Sequence, residues 1–221
     1  MNKPHPAVKN TAPDIRAVFF DIGNVLLKFD VGAVLRRFAW VVRSHPMKVA
    51  RLLWSSRLFD GVERGDITSR QIHRIFCEDF EYSGSFDDFK KIWCYSFELN
   101  KDTVGVMRRV RRRRKVYLLS NTNKLHYEHI REHYAFARQV NGAVLSYRLR
   151  VRKPEPGIYH AALKRARVQA SRALFIDDLK ENVEAARSLG WHALHFRGAK
   201  SLEQDLCRLG VLPRARKQST A

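Results

Sequence analysis

The sequence predicts an α/β protein in which a doubly wound parallel sheet carries an inserted helical segment. Five short runs of apolar residues predict buried strands, and the stretches between them have helical periodicity. No convincing strand occurs between about Val31 and Thr103. Continuous apolar strands that alternate with helices are typical of a parallel sheet covered on both faces. The five predicted strands are Ala17–Phe20, Val116–Leu119, Ala143–Leu145, Ala173–Ile176 and His192–Phe196.

Residues that favour helix ends delimit the predicted helices of the core. Pro154 and Pro156 predict the start of one helix, and Gly190 predicts the end of another that begins near Asn182. The segment after the first strand is instead far longer than the dozen or so residues that a crossover connection needs. Its amphipathic patterns predict a separate helical domain that can act as a lid. We therefore predict a core of residues 13–30 and 104–210, a helical insert of residues 31–103, and flexible tails at 1–12 and 211–221.

The charge balance is the unusual feature of the composition. The chain has 42 lysines and arginines against 22 acidic residues, a formal net charge of +20. The basic residues concentrate at 108–115 and 214–217. Such a charge attracts polyanions or phosphorylated substrates. Within the first stretch Val104, Met107 and Val110 recur every third position, which predicts a buried face with the arginines outward. No zinc-finger, helix-turn-helix or RNA-recognition motif accompanies the charge, so we do not expect nucleic acid as a partner.

The cysteines and the absence of long apolar runs predict the compartment. Cys77, Cys94 and Cys207 are far apart and form no C-x-x-C pair, which favours a reducing environment. The first sixteen or so residues lack the apolar region of a secretory signal, and no run is long enough for a membrane helix. We expect a cytoplasmic protein without a membrane partner, as a monomer or weak homodimer.

Four polar clusters follow predicted strands or lie close to them. They are Asp21, the run Ser120–Asn123, Lys153, and the pair Asp177–Asp178 with Asn182 further on. Each cluster alone has an ordinary explanation, such as a helix cap or an exposed lysine. Because the carboxyl ends of parallel strands meet at one edge, we expect all four to converge on a single site.

This combination of side chains suits the transfer of a phosphoryl group. A carboxylate nucleophile such as Asp21 divides hydrolysis into two easier steps through an acyl phosphate. Carboxylates gathered at one point repel each other unless a hard cation neutralises them, and Mg²⁺ prefers such oxygen ligands. Ser120 and Lys153 can then hold the remaining phosphate oxygens.

Together, these motifs resemble those of the haloacid dehalogenase superfamily. The motifs are D-I-G-N at 21–24, S-N-T-N at 120–123, R-K-P-E-P at 152–156 and F-I-D-D-x-x-x-N at 175–182. The resemblance implies a Rossmann-like core, an inserted helical (C1-type) cap, Mg²⁺ as cofactor and a small phosphorylated metabolite as substrate. The residues it implies are Asp21 as nucleophile, Lys153 as catalytic and phosphate-binding, Ser120 and Asn121 as phosphate-binding, and Asp21, the Gly23 carbonyl, Asp177 and Asp178 as metal ligands.

One position departs from the pattern of that superfamily. Most of its phosphatases have a second aspartate, the general acid and base, where this chain has Gly23. General acid help is commonly worth 10²–10⁴-fold in rate. Either catalysis depends on water or a cap residue, or the leaving group needs little protonation, as in a sugar 1-phosphate. The D-x-G-N-V and S-N-T-N-x-L-H patterns, with Glu63–Asp66 in the cap, are also similar to bacterial α-glucose-1-phosphate phosphatases.

Several alternatives explain parts of the pattern. Haloacid dehalogenases need no metal, so the pair Asp177–Asp178 argues against them, and a mutase needs the acid that Gly23 replaces. A catalytically impaired member of the superfamily could act as a basic module that binds phosphate or nucleic acid. The string His129–His133 matches the H-x-x-E-H of inverted zinc peptidases, but no third ligand stands out. We interpret the cap aromatics Trp54, Phe59 and Trp93 as core residues.

Overall fold

A computed structural model describes residues 12–55 and 58–213 of the chain. Most of the two predicted tails, including the basic residues Arg214, Arg216 and Lys217, lies outside the described residues. The side chain of Trp54 also lies outside them.

The core is a parallel sheet with the strand order β5-β4-β1-β6-β7. β1 lies at its centre, with Ala17 aligned with Lys115 on one side and with Ala173 on the other. All five predicted strands are present, and the predicted doubly wound α/β fold is confirmed. The strands are β1 (Ala17–Phe20), β2 (Leu27–Phe29), β3 (Phe97–Leu99), β4 (Lys115–Ser120), β5 (Gly142–Leu145), β6 (Ala173–Asp177) and β7 (His192–His195).

Helices cover both faces of this sheet and build the insert. The helices are α1 (Val31–Val41), α2 (Pro46–Ser55), α3 (Leu58–Arg64), α4 (Ser69–Phe80), α5 (Phe86–Trp93), α6 (Lys101–Arg111), α7 (Lys124–His133), α8 (Ser146–Leu149), α9 (Pro156–Ala166), α10 (Lys180–Ser188) and α11 (Ala199–Arg208). Short 3₁₀ turns occur at Ala135–Arg138 and Ala170–Arg172.

Alternate side chains of the buried strands pack into two apolar layers. Phe20 and Leu118 face the layer that includes residues of α6, α7 and α11. Phe19 and Phe175 face the opposite layer, which includes residues of α9 and α10. Because strand side chains alternate between the two faces, a strand buried on both sides reads as an uninterrupted apolar run.

The insert has an aromatic core of its own. Phe38, Phe76, Phe89 and Trp93 are buried in one cluster, in which the rings of Phe38 and Phe76 lie 4.5 Å apart. Trp93 is therefore a core residue, as interpreted from the sequence. A capping box formed by Thr68 and the glutamine three residues later in the chain defines the start of α4.

A small second sheet at the junction of insert and core differs from the sequence prediction. We predicted no strand between residues 31 and 103, but β3 lies in that segment and pairs antiparallel with β2. Leu27 is aligned with Leu99 and Phe29 with Phe97, whose rings stack at 4.9 Å. The two strands are three residues each, too short to show a period of two, and their pairing depends on residues distant in sequence.

The ordered core extends beyond residue 210, where we predicted the start of a flexible tail. Val211 and Leu212 are buried against the sheet. Both donate backbone hydrogen bonds to the carbonyl of Leu206, at 2.9 and 3.2 Å. This segment terminates α11 and closes the apolar layer, so residues 211 and 212 belong to the core.

The arginine-rich stretch lies on the outside of α6 and the turn that follows it. Val104, Met107 and Val110 are buried, which confirms the predicted face. Arg109 pairs with Glu203 at 2.7 Å. A cavity of about 700 Å³ beside the turn lies where β1 and β4 begin, away from the carboxyl ends of the strands, and it is lined by Asp14, Ile15, Arg16, Arg111, Arg113, Arg114, Lys115 and Asn141. Within the described residues, none of the helices combines the length and apolar character needed to cross a membrane.

Candidate active site

The carboxyl ends of the central strands bring the predicted site residues to one edge of the sheet. Asp21 directly follows β1, and its backbone N–H donates to the carbonyl of Ile176 at 2.9 Å. Ser120 and Asp177 are the last residues of β4 and β6. Lys153 lies in the loop between α8 and α9. Since β1 is hydrogen-bonded to both β4 and β6, these residues meet beside the centre of the sheet.

Lys153 lies between two carboxylates. Its Nζ is 2.9 Å from Oδ1 of Asp21 and donates to Oδ2 of Asp177 at 2.6 Å. The Lys153 and Asp177 side chains are 2% and 0% exposed, so the three charged groups lie in a region largely closed to water. A buried charge is tolerated when it is paired and hydrogen-bonded, and the ammonium meets both conditions.

The second oxygen of Asp177 is held by the start of α10. Asp177 Oδ1 accepts hydrogen bonds from the backbone N–H of Leu179 at 2.8 Å and from Nδ2 of Asn182 at 3.0 Å. The backbone carbonyl of Asn182 in turn accepts from the Tyr159 hydroxyl at 2.9 Å. These bonds fix the orientation of the Asp177 carboxylate relative to the lysine.

Asp21, Asp177 and Asp178 form a cluster suited to a metal ion. One carboxylate oxygen from each lies within 4.8 Å of the others. Asp178 is oriented by Asn24, whose Nδ2 donates to Asp178 Oδ2 at 3.2 Å. Asp21 Oδ1 is buried, and the lysine ammonium at 2.9 Å is its close polar neighbour among the described residues. Hard oxygen donors with a free lone pair at this spacing fit Mg²⁺, and Gly23 lines the same cavity.

Burial and charge perturb the acid–base properties of these groups. Burial raises the pKa of Asp21 to about 7; Lys153 opposes this rise, and Asp177 adds to it. Burial alone would lower the pKa of the Lys153 ammonium, but the two carboxylates outweigh burial and raise it. Burial also raises the pKa of Asp178, against the hydrogen bond from Asn24. Strong perturbation at one cleft is typical of a functional site.

Asn121 clamps the loop that carries the lysine. Its Oδ1 accepts from the Lys153 backbone N–H at 2.8 Å, and its Nδ2 donates to the Lys153 carbonyl at 2.9 Å. The neighbouring Ser120 hydroxyl donates to the Asn121 carbonyl at 3.2 Å. The Asn121 side chain thus holds the lysine backbone in register with β4.

A cavity of about 270 Å³ opens at this edge of the sheet and contains most of the predicted site. Asp177 is absent from its lining because it is buried behind Lys153. The insert contributes Phe59 and Glu63, so Phe59 faces the cavity and is more than a core residue. The predicted site residues along its wall are Asp21, Gly23, Ser120, Asn121, Lys153 and Asp178.

Among the cavity residues to which sequence reasoning gave no role, three have titratable side chains. Arg152, His126 and Glu63 all line it. Arg152 adjoins the predicted lysine, and Glu63 belongs to a pattern noted in the cap, but neither position alone indicates which way its side chain points. Burial lowers the pKa of His126 to about 4, and its Nε2 lies 3.0 Å from the Trp93 carbonyl.

Ion pairs join the insert to the loop of Lys153. Arg64 of α3 contacts both carboxylate oxygens of Glu155, at 2.5 and 3.1 Å. Arg152 contacts Asp60 at 2.8 Å and Glu63 at 2.9 Å. Bidentate arginine–carboxylate pairs are the geometrically specific kind. This network ties α3, which contributes Phe59 and Glu63 to the cavity lining, to the loop of Lys153.

The two histidines of the H-x-x-E-H string contact each other on α7. The rings of His129 and His133 stack 4.1 Å apart, and His133 Nδ1 lies 3.0 Å from the His129 carbonyl. Across residues 12–55 and 58–213, the aspartate cluster is the only group of three or more such side chains with metal-ligand spacing.

Comparison with known proteins identifies the family. A D-ribitol-5-phosphate phosphatase of Bacteroides thetaiotaomicron is 23% identical over 199 residues, which cover 87% of this chain and 97% of that protein. A crystal structure of a haloacid dehalogenase family enzyme from the same organism matches with a TM-score of 0.78 at 22% identity, over 87% of this chain and 98% of that one. A complex of such an enzyme with magnesium and inorganic phosphate matches with a TM-score of 0.71 at 23% identity, over 83% and 95%. The family model of haloacid dehalogenase-like hydrolases matches residues 15–190, and the chain belongs to that family.

Proposed function

We propose that the protein is a Mg²⁺-dependent phosphomonoester hydrolase that works through an aspartyl phosphate on Asp21. The observation that carries the proposal is the placement of the Asp21 carboxylate on the cavity wall, beside Lys153 and the other two aspartates. The magnesium and phosphate bound by the structural neighbour, and the phosphatase activity in the name of the curated relative, support the same chemistry.

The site offers a nucleophile whose charge is held but not fully neutralised. A carboxylate has about four lone-pair sites, so Asp21 can pair with Lys153 at 2.9 Å and still offer a lone pair for attack on phosphorus. Lys153 pairs with Asp21 and Asp177 and balances the negative charge that accumulates as a phosphate dianion approaches the carboxylate. Attack forms a bond from an Asp21 oxygen to phosphorus and releases the alcohol, and water then hydrolyses the acyl phosphate.

The aspartates suit one divalent cation, and the neighbouring polar groups suit the phosphate. Asp21, Asp178, Asp177 and the Gly23 carbonyl would hold Mg²⁺, which when bound supplies positive charge to the phosphoryl oxygens. Ser120 and Asn121 line the same cavity. The Ser120 hydroxyl would bind one of the remaining oxygens, and Asn121 Nδ2 has a second N–H besides the one it donates to the Lys153 carbonyl.

The size of the cavity favours a small substrate. Its volume of about 270 Å³ lies just below the range of roughly 300–1,000 Å³ typical of drug-sized ligands. The polar lining and the aromatic ring of Phe59 suit a phosphorylated sugar or polyol. Sugar 1-phosphates remain one candidate class because Gly23 provides no acid, and the ribitol 5-phosphate of the curated relative is another.

The test is phosphate release by purified protein from a panel of metabolites with and without Mg²⁺. The panel includes glucose 1-phosphate, glucose 6-phosphate and ribitol 5-phosphate. We expect turnover of at least one phosphomonoester that depends on Mg²⁺ and is abolished by Asp21→Asn. A preference for glucose 1-phosphate over the 6-phosphate would support the sugar 1-phosphate class.

Asp79→Asn serves as the matched control. Asp79 is an exposed aspartate of α4, so the same chemical change there leaves the cavity untouched. If Asp21→Asn retained wild-type turnover on the best substrate, the assignment of the nucleophile would be wrong. Turnover unaffected by removal of divalent cations would instead overturn the metal requirement.

A further inference from the structure

Hydrolysis of an alkyl phosphate calls for a proton at the leaving oxygen. An alkoxide is a poor leaving group, and a positioned acid is commonly worth 10²–10⁴-fold in rate. Gly23, two residues after the nucleophile, has no side chain to donate a proton, and a Cβ added there would meet no atom within 4 Å. The proton therefore comes from another part of the cavity wall or from water.

Glu63 is the remaining carboxyl group of the cavity. Among the described residues of the cavity lining, the carboxyl groups are those of Asp21, Asp178 and Glu63, and the first two belong to the metal-type cluster. Glu63 projects from α3 of the insert and is 9% exposed. It lines the same cavity as Asp21, from the insert rather than from the sheet edge.

The charges around Glu63 leave it able to hold a proton. Arg152 is 2.9 Å from Glu63 Oε2. Arg152 also pairs with Asp60, so its positive charge is balanced by two carboxylates rather than by Glu63 alone. Burial raises the pKa of Glu63, while Arg152, Lys153 and Arg64 lower it and Asp60 raises it. The other titratable candidate, His126, is already engaged with the Trp93 carbonyl.

We propose that Glu63 is the general acid and base of the reaction, supplied by the insert in place of a core side chain. This inference rests on the proposed phosphatase function. In the first step, an Asp21 oxygen bonds to phosphorus, the bond from phosphorus to the leaving oxygen breaks, and that oxygen takes the Glu63 proton. In the second, water attacks phosphorus, its proton returns to Glu63, and the acyl phosphate bond breaks to release phosphate and the Asp21 carboxylate.

The test compares Glu63→Gln with wild type on two esters of different leaving-group quality. The value of kcat/KM reports the steps up to release of the leaving group, so it isolates the acid role. We expect kcat/KM for an alkyl monoester, taken from the best substrate of the panel, to fall about 10²-fold or more. The value for p-nitrophenyl phosphate, whose phenolate leaves without protonation, should stay close to wild type. An equal loss on both esters, or none on the alkyl ester, would overturn the proposal.

A rescue variant and a control complete the design. Because position 23 has room for a side chain, Gly23→Asp in the Glu63→Gln background should restore most of the alkyl-ester activity. Glu78→Gln, the same change at an exposed glutamate of α4, should leave both esters at wild-type rates. If Glu63 acted only by positioning Arg152, Gly23→Asp would restore no activity, and that result would overturn the proposal. Inactivity of wild type on every phosphomonoester, with Asp21→Asn no different, would reject the proposed function itself.

Discussion

Asp21→Asn should stabilise the metal-free protein while it abolishes turnover. The wild-type carboxylate is 8% exposed and lies near two other carboxylates, so its ionised form is disfavoured in the folded state. An amide of the same shape carries no charge and removes that penalty. The site would then be an example of stability given up for function.

The magnitude follows from the pKa of Asp21. It rises from its ordinary value of 3.8 to about 7 on folding. Each pH unit of that difference corresponds to about 1.4 kcal/mol, so the penalty approaches about 4 kcal/mol. Below pH 3.8 the carboxyl is protonated in both states and contributes nothing. As pH rises towards 7 the unfolded chain ionises first, so the penalty grows and is complete above pH 7.

The assay is urea denaturation in EDTA at several pH values between 4 and 8. We expect the free energy of unfolding of Asp21→Asn to exceed that of wild type by an amount that grows with pH to an upper limit of about 4 kcal/mol. Asp79→Asn should change stability by less than about 0.5 kcal/mol. If Asp21→Asn were no more stable than wild type at pH 7.5, the account of Asp21 as a destabilised buried carboxylate would be refuted.

Three further changes test the surroundings of the site. Lys153→Met should lower the free energy of unfolding in EDTA by about 3–5 kcal/mol, because it leaves two buried carboxylates without their cation, and Mg²⁺ should recover part of the loss. Wild-type His126 stays neutral in the fold while the unfolded chain binds a proton, so the wild-type free energy of unfolding should fall by up to about 3 kcal/mol between pH 6.5 and 4. His126→Gln should remove this part of the pH dependence. Gly65→Ala should destabilise by at least about 1–2 kcal/mol by thermal or urea denaturation, because Gly65 has φ +75° and a Cβ there would lie 2.4 Å from the Tyr147 carbonyl oxygen.

Each of these has an outcome that would contradict it. Wild-type stability of Lys153→Met in EDTA would show that the lysine is not needed to balance the carboxylates. Parallel pH profiles for wild type and His126→Gln would show that His126 titrates normally in the fold. Unchanged stability of Gly65→Ala would mean that the end of α3 and the backbone of α8 do not pack as closely as described.

The parts of the fold that depend on local pattern could be predicted from the sequence. A buried parallel strand such as Ala17–Phe20 is an uninterrupted apolar run, and the strand-end position of Asp21 then follows from topology. β2 and β3 could not be predicted, because three-residue strands carry little periodic signal and pair across about seventy residues. The burial of Val211 and Leu212 likewise depends on the layer that α11 completes.

The site shows the same division between local signal and long-range contact. The residue types and their order predicted which side chains meet, and Asp21 and Lys153 do lie 2.9 Å apart. The use of the Asn121 amide to clamp the lysine loop could not be predicted, since the same residue type also suits phosphate. The presence of Glu63 in the cavity lining depends on how the insert packs on the core, which local pattern does not specify.

Trapping of the phosphoryl-enzyme tests the central claim most directly. The protein is mixed with its best phosphomonoester and Mg²⁺, quenched during turnover, reduced with borohydride and digested for mass spectrometry. We predict conversion of Asp21 to homoserine in wild type, since borohydride reduces an aspartyl phosphate, and no such product in the Asp21→Asn variant. Steady phosphate release with unmodified Asp21, or with the modification on another residue, would contradict the proposed nucleophile.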